Sequence, residues 1–118
     1  MSRFALLAAA VAAALALAAP VGAMGPTKLT GTVGPGFTIT LKKAGVKVKT
    51  LKAGRYTITV NDKSNIHDFH LKGPGVNKVI TTTPFKGTKS VTLRLSKGTY
   101  RYLCDPHAST MKGSFRVT

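Results

Sequence analysis

The stretch Tyr100-Arg101-Tyr102-Leu103-Cys104-Asp105-Pro106-His107-Ala108-Ser109-Thr110-Met111-Lys112-Gly113-Ser114-Phe115-Arg116-Val117 carries two patterns at once. Its opening alternates, so Tyr100, Tyr102 and Cys104 point to one face of a strand. Its close, Ser114-Phe115-Arg116-Val117, alternates in the same way. Between them Pro106 stops the first strand and turns the chain, and Lys112-Gly113 releases it into the second. The order is strand, loop rich in metal-binding side chains, strand.

Upstream the same period-two alternation recurs in Phe37-Thr38-Ile39-Thr40-Leu41, Val46-Lys47-Val48-Lys49, Tyr56-Thr57-Ile58-Thr59-Val60 and Val91-Thr92-Leu93-Arg94-Leu95. Alternating β-branched and aromatic residues mark half-buried strands. Turn chemistry separates them at Gly34-Pro35-Gly36, Ala53-Gly54, Gly73-Pro74-Gly75, Lys86-Gly87 and Lys97-Gly98. No segment beyond the N-terminal apolar run has a helical period. Many short strands with frequent turns predict an all-β fold, a sandwich or a Greek-key barrel. The phrases Lys52-Ala53-Gly54-Arg55-Tyr56 and Lys97-Gly98-Thr99-Tyr100 resemble each other as two turn-then-strand solutions, not as an internal repeat.

The N-terminus is of another kind. Arg3 precedes an apolar run from Phe4 to Ala19, followed by Pro20 and the small residues Val21-Gly22-Ala23. A charged start, an apolar middle and a small-x-small ending form a secretory signal. The run is short for a membrane span, which needs roughly 20 residues, although an uncleaved anchor is the alternative. The expected organisation is a signal peptide over residues 1–23 and one domain over residues 24–118, exported to the periplasm, cell envelope or exterior. That length supports a single core. The lone Cys104 can form no intrachain disulfide, so an exported chain keeps it as a liability or as a functional group.

Eighteen Lys and Arg face three acidic residues, for a formal net charge of +15. Such a surface attracts acidic proteins and anionic envelope polymers or lipids. The cations follow no nucleic-acid motif, so no nucleic-acid partner is expected. The acidic residues Asp62, Asp68 and Asp105 all lie in or near the segments that carry candidate ligands.

Those segments are Asp62-Lys63-Ser64-Asn65-Ile66-His67-Asp68-Phe69-His70-Leu71 and the Cys104–Met111 loop. Together they offer imidazole, thiolate and thioether donors. Two His, one Cys and a weak axial Met form the ligand set of blue-copper electron-transfer sites: soft sulfur suits Cu(I), and imidazole suits Cu(II) as well. His67 and His70 stand three apart and should face opposite sides of a strand, so spacing alone leaves the first histidine open.

With Gly54-x-Tyr56, His67-x-Phe69-His70, Gly98-x-Tyr100, Cys104-x-Pro106-His107 and Met111-x-Gly113-x-Phe115-x-Val117 in this order, the chain resembles small cupredoxins of the plastocyanin, amicyanin and pseudoazurin type. The resemblance covers nearly all of the sequence after the signal. It implies an eight-stranded Greek-key β-sandwich with one type 1 copper ion at one end. It implies His67, Cys104, His107 and Met111 as the metal ligands, with His70 a packed or solvent-facing residue. It also implies that His107 reaches the surface through an apolar patch and serves as the electron port.

The chain departs from the family in four places. The interval from His107 to Met111 is intermediate between shorter and longer family loops, which leaves the axial geometry open. Asp68 stands where Asn is usual, and Asp105 where Thr or Ser is common. If these positions adjoin as in similar proteins, two carboxylates meet beside the metal, one pKa rises, and a shared proton makes the potential pH-dependent. Leu103 stands where some relatives carry an aromatic used as a second electron route, so that route is not expected.

The function expected is one-electron transfer between redox partners, without substrate turnover, since four protein ligands leave no open metal position. Those partners are expected to be acidic proteins bound transiently by a monomer. Copper storage, delivery or resistance is the alternative. A zinc-binding or metal-free sandwich is the third, and it gives the Met donor no purpose.

Overall fold

The computed structural model describes residues 25–118. The signal segment read at residues 1–23 lies outside them. Alternation folds the rest into ten strands: β1 (Thr27–Val33), β2 (Ile39–Lys43), β3 (Val46–Lys47), β4 (Thr50–Leu51), β5 (Gly54–Asp62), β6 (Phe69–Gly73), β7 (Val76–Thr81), β8 (Gly87–Leu95), β9 (Gly98–Leu103) and β10 (Lys112–Val117). They form two five-stranded sheets, ordered β3-β2-β1-β5-β8 and β4-β10-β9-β6-β7. Eight of the strands have five or more residues, and β3 and β4 have two each. The count of eight implied by resemblance therefore rises to ten by way of two short pairings.

Those two strands correct the reading of Val46 to Lys49. Val46 is 69% exposed, whereas Val48, two residues on, is buried. The chain leaves the first sheet after Lys47, docks Val48 through its N–H on the Leu41 carbonyl at 3.0 Å, and joins the second sheet at Thr50. This is a crossing between sheets, and alternation holds only within one strand.

The inner faces form one core of Leu29, Val33, Leu41, Ile58, Val60, Phe69, Leu71, Leu95, Tyr100, Tyr102, Phe115 and neighbours. Each large side chain fully buried there contributes roughly 1.5–3 kcal/mol. Phe69 stacks on Tyr102 at 5.7 Å, and Tyr100 on Phe115 at 5.4 Å. The Tyr100 hydroxyl donates to the Pro74 carbonyl at 2.8 Å and accepts from Ser96 N–H at 2.9 Å, so a buried phenol is satisfied at both of its roles. Among the described residues both sheets and the core lie within Thr27–Val117, so this segment closes its own core.

Strand register defines two ends. β1 runs parallel to β5 from Thr27↔Tyr56 to Val33↔Asp62, and β5 pairs with β8 from Gly54↔Leu95 to Asp62↔Gly87. In the other sheet Leu103 opposes Lys112 and Gly98 opposes Val117. One end therefore gathers Val33, Asp62, Leu103 and Lys112. The far end gathers Thr27, Gly54, Gly98 and Val117, tied across by Ala53 N–H to the Thr118 carbonyl at 2.9 Å.

Candidate metal centre

Each candidate ligand reaches the first end by a local device. Cys104 follows β9 directly, and Pro106 lies in a single 3-10 turn, Asp105–His107, that brings His107 back toward it. The loop closes on itself: Cys104 N–H donates to the Met111 carbonyl at 3.0 Å, and Met111 N–H to the His107 carbonyl at 2.8 Å. His67 precedes β6 and is wholly buried. Gly34 lies beside it with a positive φ of 74°, and a Cβ there would press on the His67 ring at 3.1 Å. Only glycine meets both demands.

The donor atoms converge. His67 Nδ1 lies 3.1 Å from His107 Nδ1, and Cys104 Sγ lies 3.6 Å and 3.5 Å from those two nitrogens. The point equidistant from all three is about 2.0 Å from each, close to the bond lengths of imidazole and thiolate metal sites. His67 Nε2 donates to the Gly36 carbonyl at 2.9 Å, which fixes the tautomer and leaves Nδ1 as a lone pair facing the others. Two ring nitrogens and a sulfur turned toward one point form a cation site. Burial pushes the Cys104 thiol pKa up, so loading a metal must displace a proton. Met111 is wholly buried at the end of the loop, in the same chain segment as Cys104 and His107. Mixed imidazole and thiolate chemistry favours copper over hard cations.

His70 is not part of this cluster. It lies on β6, with Nδ1 2.8 Å from an Asp105 carboxylate oxygen and Nε2 2.5 Å from the Asn77 side-chain oxygen. That contact braces the start of the ligand loop against β6 and β7. The alternation argument from His67 to His70 does not apply, because His67 stands outside the strand that begins at Phe69.

Phe37 was expected inside a strand. Instead β2 begins at Ile39, and Phe37 is 62% exposed, edge-on to His67 at 5.4 Å and to His107 at 4.9 Å. The Gly34-Pro35-Gly36 turn before it signals a loop and could have revealed this. His107 is partly exposed at this rim, beside the exposed Phe37 and between its exposed chain neighbours Pro106 and Ala108.

The three carboxylates separate by role. Asp62 is buried and accepts from Ser64 N–H at 3.2 Å, which turns the loop toward His67. Asp68 and Asp105 do meet: Asp105 N–H donates to Asp68 Oδ1 at 2.6 Å. Burial, then the side-chain hydrogen bond to Asp105, pushes Asp68 up to about 6, while that bond holds Asp105 below the usual carboxylate range. In the unfolded chain Asp ionises near about 3.9. The folded protein thus keeps a proton on Asp68 that the unfolded chain has lost, and stability falls as pH rises from about 4 to about 6. Asp68→Asn preserves the acceptor for Asp105 N–H and cannot ionise. We expect the metal-free variant to lose less stability than the parent over that window, read as urea midpoints at successive pH values; parallel curves would refute it.

The family described as copper binding proteins, plastocyanin/azurin family, matches residues 37–118. No curated protein sequence matches the chain. Among solved structures, reduced rusticyanin superposes with a TM-score of 0.54 at 25% identity, over 80% of this chain and 81% of that one. Auracyanin A, a "blue" copper protein of the green thermophilic photosynthetic bacterium Chloroflexus aurantiacus, gives a TM-score of 0.53 at 21% identity, over 80% of this chain and 100% of its own. The cupredoxin fold is shared with both, and the His67, Cys104 and His107 cluster fits a type 1 copper site. The family match runs through the whole Cys104–Met111 loop, so donor chemistry and ancestry agree: the chain belongs to the plastocyanin/azurin family of copper-binding proteins.

Proposed function

We propose that the protein is an exported one-electron carrier, not an enzyme, with one copper ion held by His67, Cys104 and His107 and weakly by Met111. The observation that carries this reading is the preset donor triangle, closed within a buried and cross-braced frame. When bound, copper supplies a Cu(I)/Cu(II) couple whose two states this donor set accepts. The chain's contribution is to keep the donors still. The Gly36 carbonyl orients His67, the Met111 carbonyl closes the loop, and Phe37 packs edge-on against both imidazoles. Little reorganisation between states favours electron passage over storage, which needs a site that opens.

His107, flanked by the exposed apolar side chains of Phe37, Pro106 and Ala108, is the route for the electron. Acidic redox partners dock transiently there, and the exposed Lys63 and Lys112 at this end contribute attraction that salt weakens. A visible spectrum of the domain with Cu(II) tests the reading. An intense blue thiolate band that bleaches with ascorbate and returns on oxidation is expected. A colourless protein that retains Cu(I), or prefers zinc, would replace electron transfer with metal handling.

A further inference from the structure

Three cross-strand positions set cations directly opposite one another: Lys42↔Lys47 between β2 and β3, Arg55↔Arg94 between β5 and β8, and Lys72↔Arg101 between β6 and β9. Like charges so placed destabilise a sheet. All six are exposed and none forms an ion pair, since the one ion pair among the described residues joins His70 and Asp105; Lys72 alone lies near enough to a carboxylate, that of Asp105, to act on it. Charge is also segregated along the sandwich. Asp62, Asp68 and Asp105 all sit toward the metal end, where β5 finishes and the ligand loop begins.

The far end has no side-chain carboxylate. Lys43, Lys52 and Arg55 line a groove of about 670 Å³ there, together with Thr27, Thr50 and Thr118. It shares Lys43, Thr50 and Leu51 with a second depression of about 350 Å³ that adds Val46, Lys47 and Lys49. Val46 stands 69% exposed among these lysines, just after the Ala44-Gly45 turn. Thr27, which opens β1, lines the same groove.

We propose that the far end is a docking surface for the headgroups of anionic lipids, which holds the domain against a membrane with His107 directed away from it. Phosphates interleaved among Lys43, Lys47, Lys49, Lys52 and Arg55 relieve repulsion that the fold leaves uncompensated, and Val46 reaches into the interfacial layer. An acidic protein would satisfy the same cations. The lipid surface is favoured because an exposed Val stands at the centre of the charge. This inference does not depend on copper, and the metal-free domain binds in the same way.

The test uses the domain from Met24 onward, copper-loaded and metal-free, in sedimentation with vesicles of phosphatidylcholine alone and of phosphatidylcholine mixed with phosphatidylglycerol. Binding is expected only to the mixture and should weaken with salt. The triple variant Lys43→Gln, Lys47→Gln, Lys52→Gln should lose about 100-fold in partitioning. The triple variant Lys63→Gln, Lys86→Gln, Lys89→Gln has the same net charge and should stay close to the parent. Circular dichroism and thermal melting of both triples confirm that each is folded. Equal losses in the two triples would reduce the effect to net charge and overturn the proposal. So would equal binding to neutral vesicles, or none to anionic ones, and the last result would assign the cations to an acidic protein.

Discussion

Replacing Cys104 by serine should abolish the intense visible absorption of the copper-loaded protein and lower its copper affinity by at least about 100-fold, since even partners one bond removed from a metal cost about 10–100-fold. The serine hydroxyl stays protonated at neutral pH and is a hard donor, so the soft vertex of the triangle disappears while both nitrogens remain. Sγ lies 3.5–3.6 Å from the two Nδ1 atoms, and the smaller oxygen on a shorter bond reaches less far toward them. The metal-free fold should change little, by about 1 kcal/mol, because a hydroxyl can hydrogen-bond either imidazole. Spectra and a chelator competition measure the first effect, and urea unfolding of the metal-free form measures the second. A serine variant that stayed blue with parental affinity would place the metal elsewhere in the chain.

The legible parts of the sequence were those where alternation is uninterrupted. β5, β8, β9 and β10 all show a repeating apolar face in the chain itself. β1 was obscured because Gly31 occupies an inward position, where the Phe69 ring fills the space of the missing side chain. In β6 only Phe69 and Leu71 face inward, and the histidines around them drew a chemical reading instead of a structural one. β7 keeps Val79 on the outside and buries the consecutive pair Ile80 and Thr81, so it has no period to detect. At the site, the Cys104–Met111 loop was readable because one short segment supplies its own strand end, turn and donors. His67 could not be chosen over His70 by spacing. The resemblance favoured it, and the structure places its Nδ1 in the cluster while His70 turns to Asp105. Phe37 was missed because its contact with the imidazoles depends on a loop packing across 30 and 70 residues of chain, which no local pattern encodes.

The two ends of the sandwich differ in their carboxylates, since Asp62, Asp68 and Asp105 all lie toward the metal end. On the function proposed above, partners meet the carrier at that end, where an apolar rim allows brief contact and quick release. On the docking proposed above, the cations of the far groove hold the domain to a membrane. Tethering is then separate from exchange, so salt should release the domain from a membrane before it changes the metal site.

Replacing Tyr102 by alanine should remove about 3–5 kcal/mol of stability, a large share of the about 5–15 kcal/mol that holds a domain together. The ring is almost fully buried, stacks on Phe69 at 5.7 Å and lies 6.4 Å from Phe115. It also fills the space above Gly113, its cross-strand partner, where any Cβ would overlap the ring. Truncation therefore opens a cavity beneath three elements at once and loosens the strand that carries the chain out of the ligand loop. Scaled to a domain of this size, the melting temperature of the metal-free protein should fall by about 15–30 °C. Tyr102→Phe separates ring from hydroxyl: it gives up only the hydroxyl and should cost about 1 kcal/mol. Copper restores part of the alanine variant's loss by mass action, provided the donors still converge. An alanine variant that melted within a few degrees of the parent would show that the sheets close without this ring. The absence of a side chain at Gly113 would then need another cause.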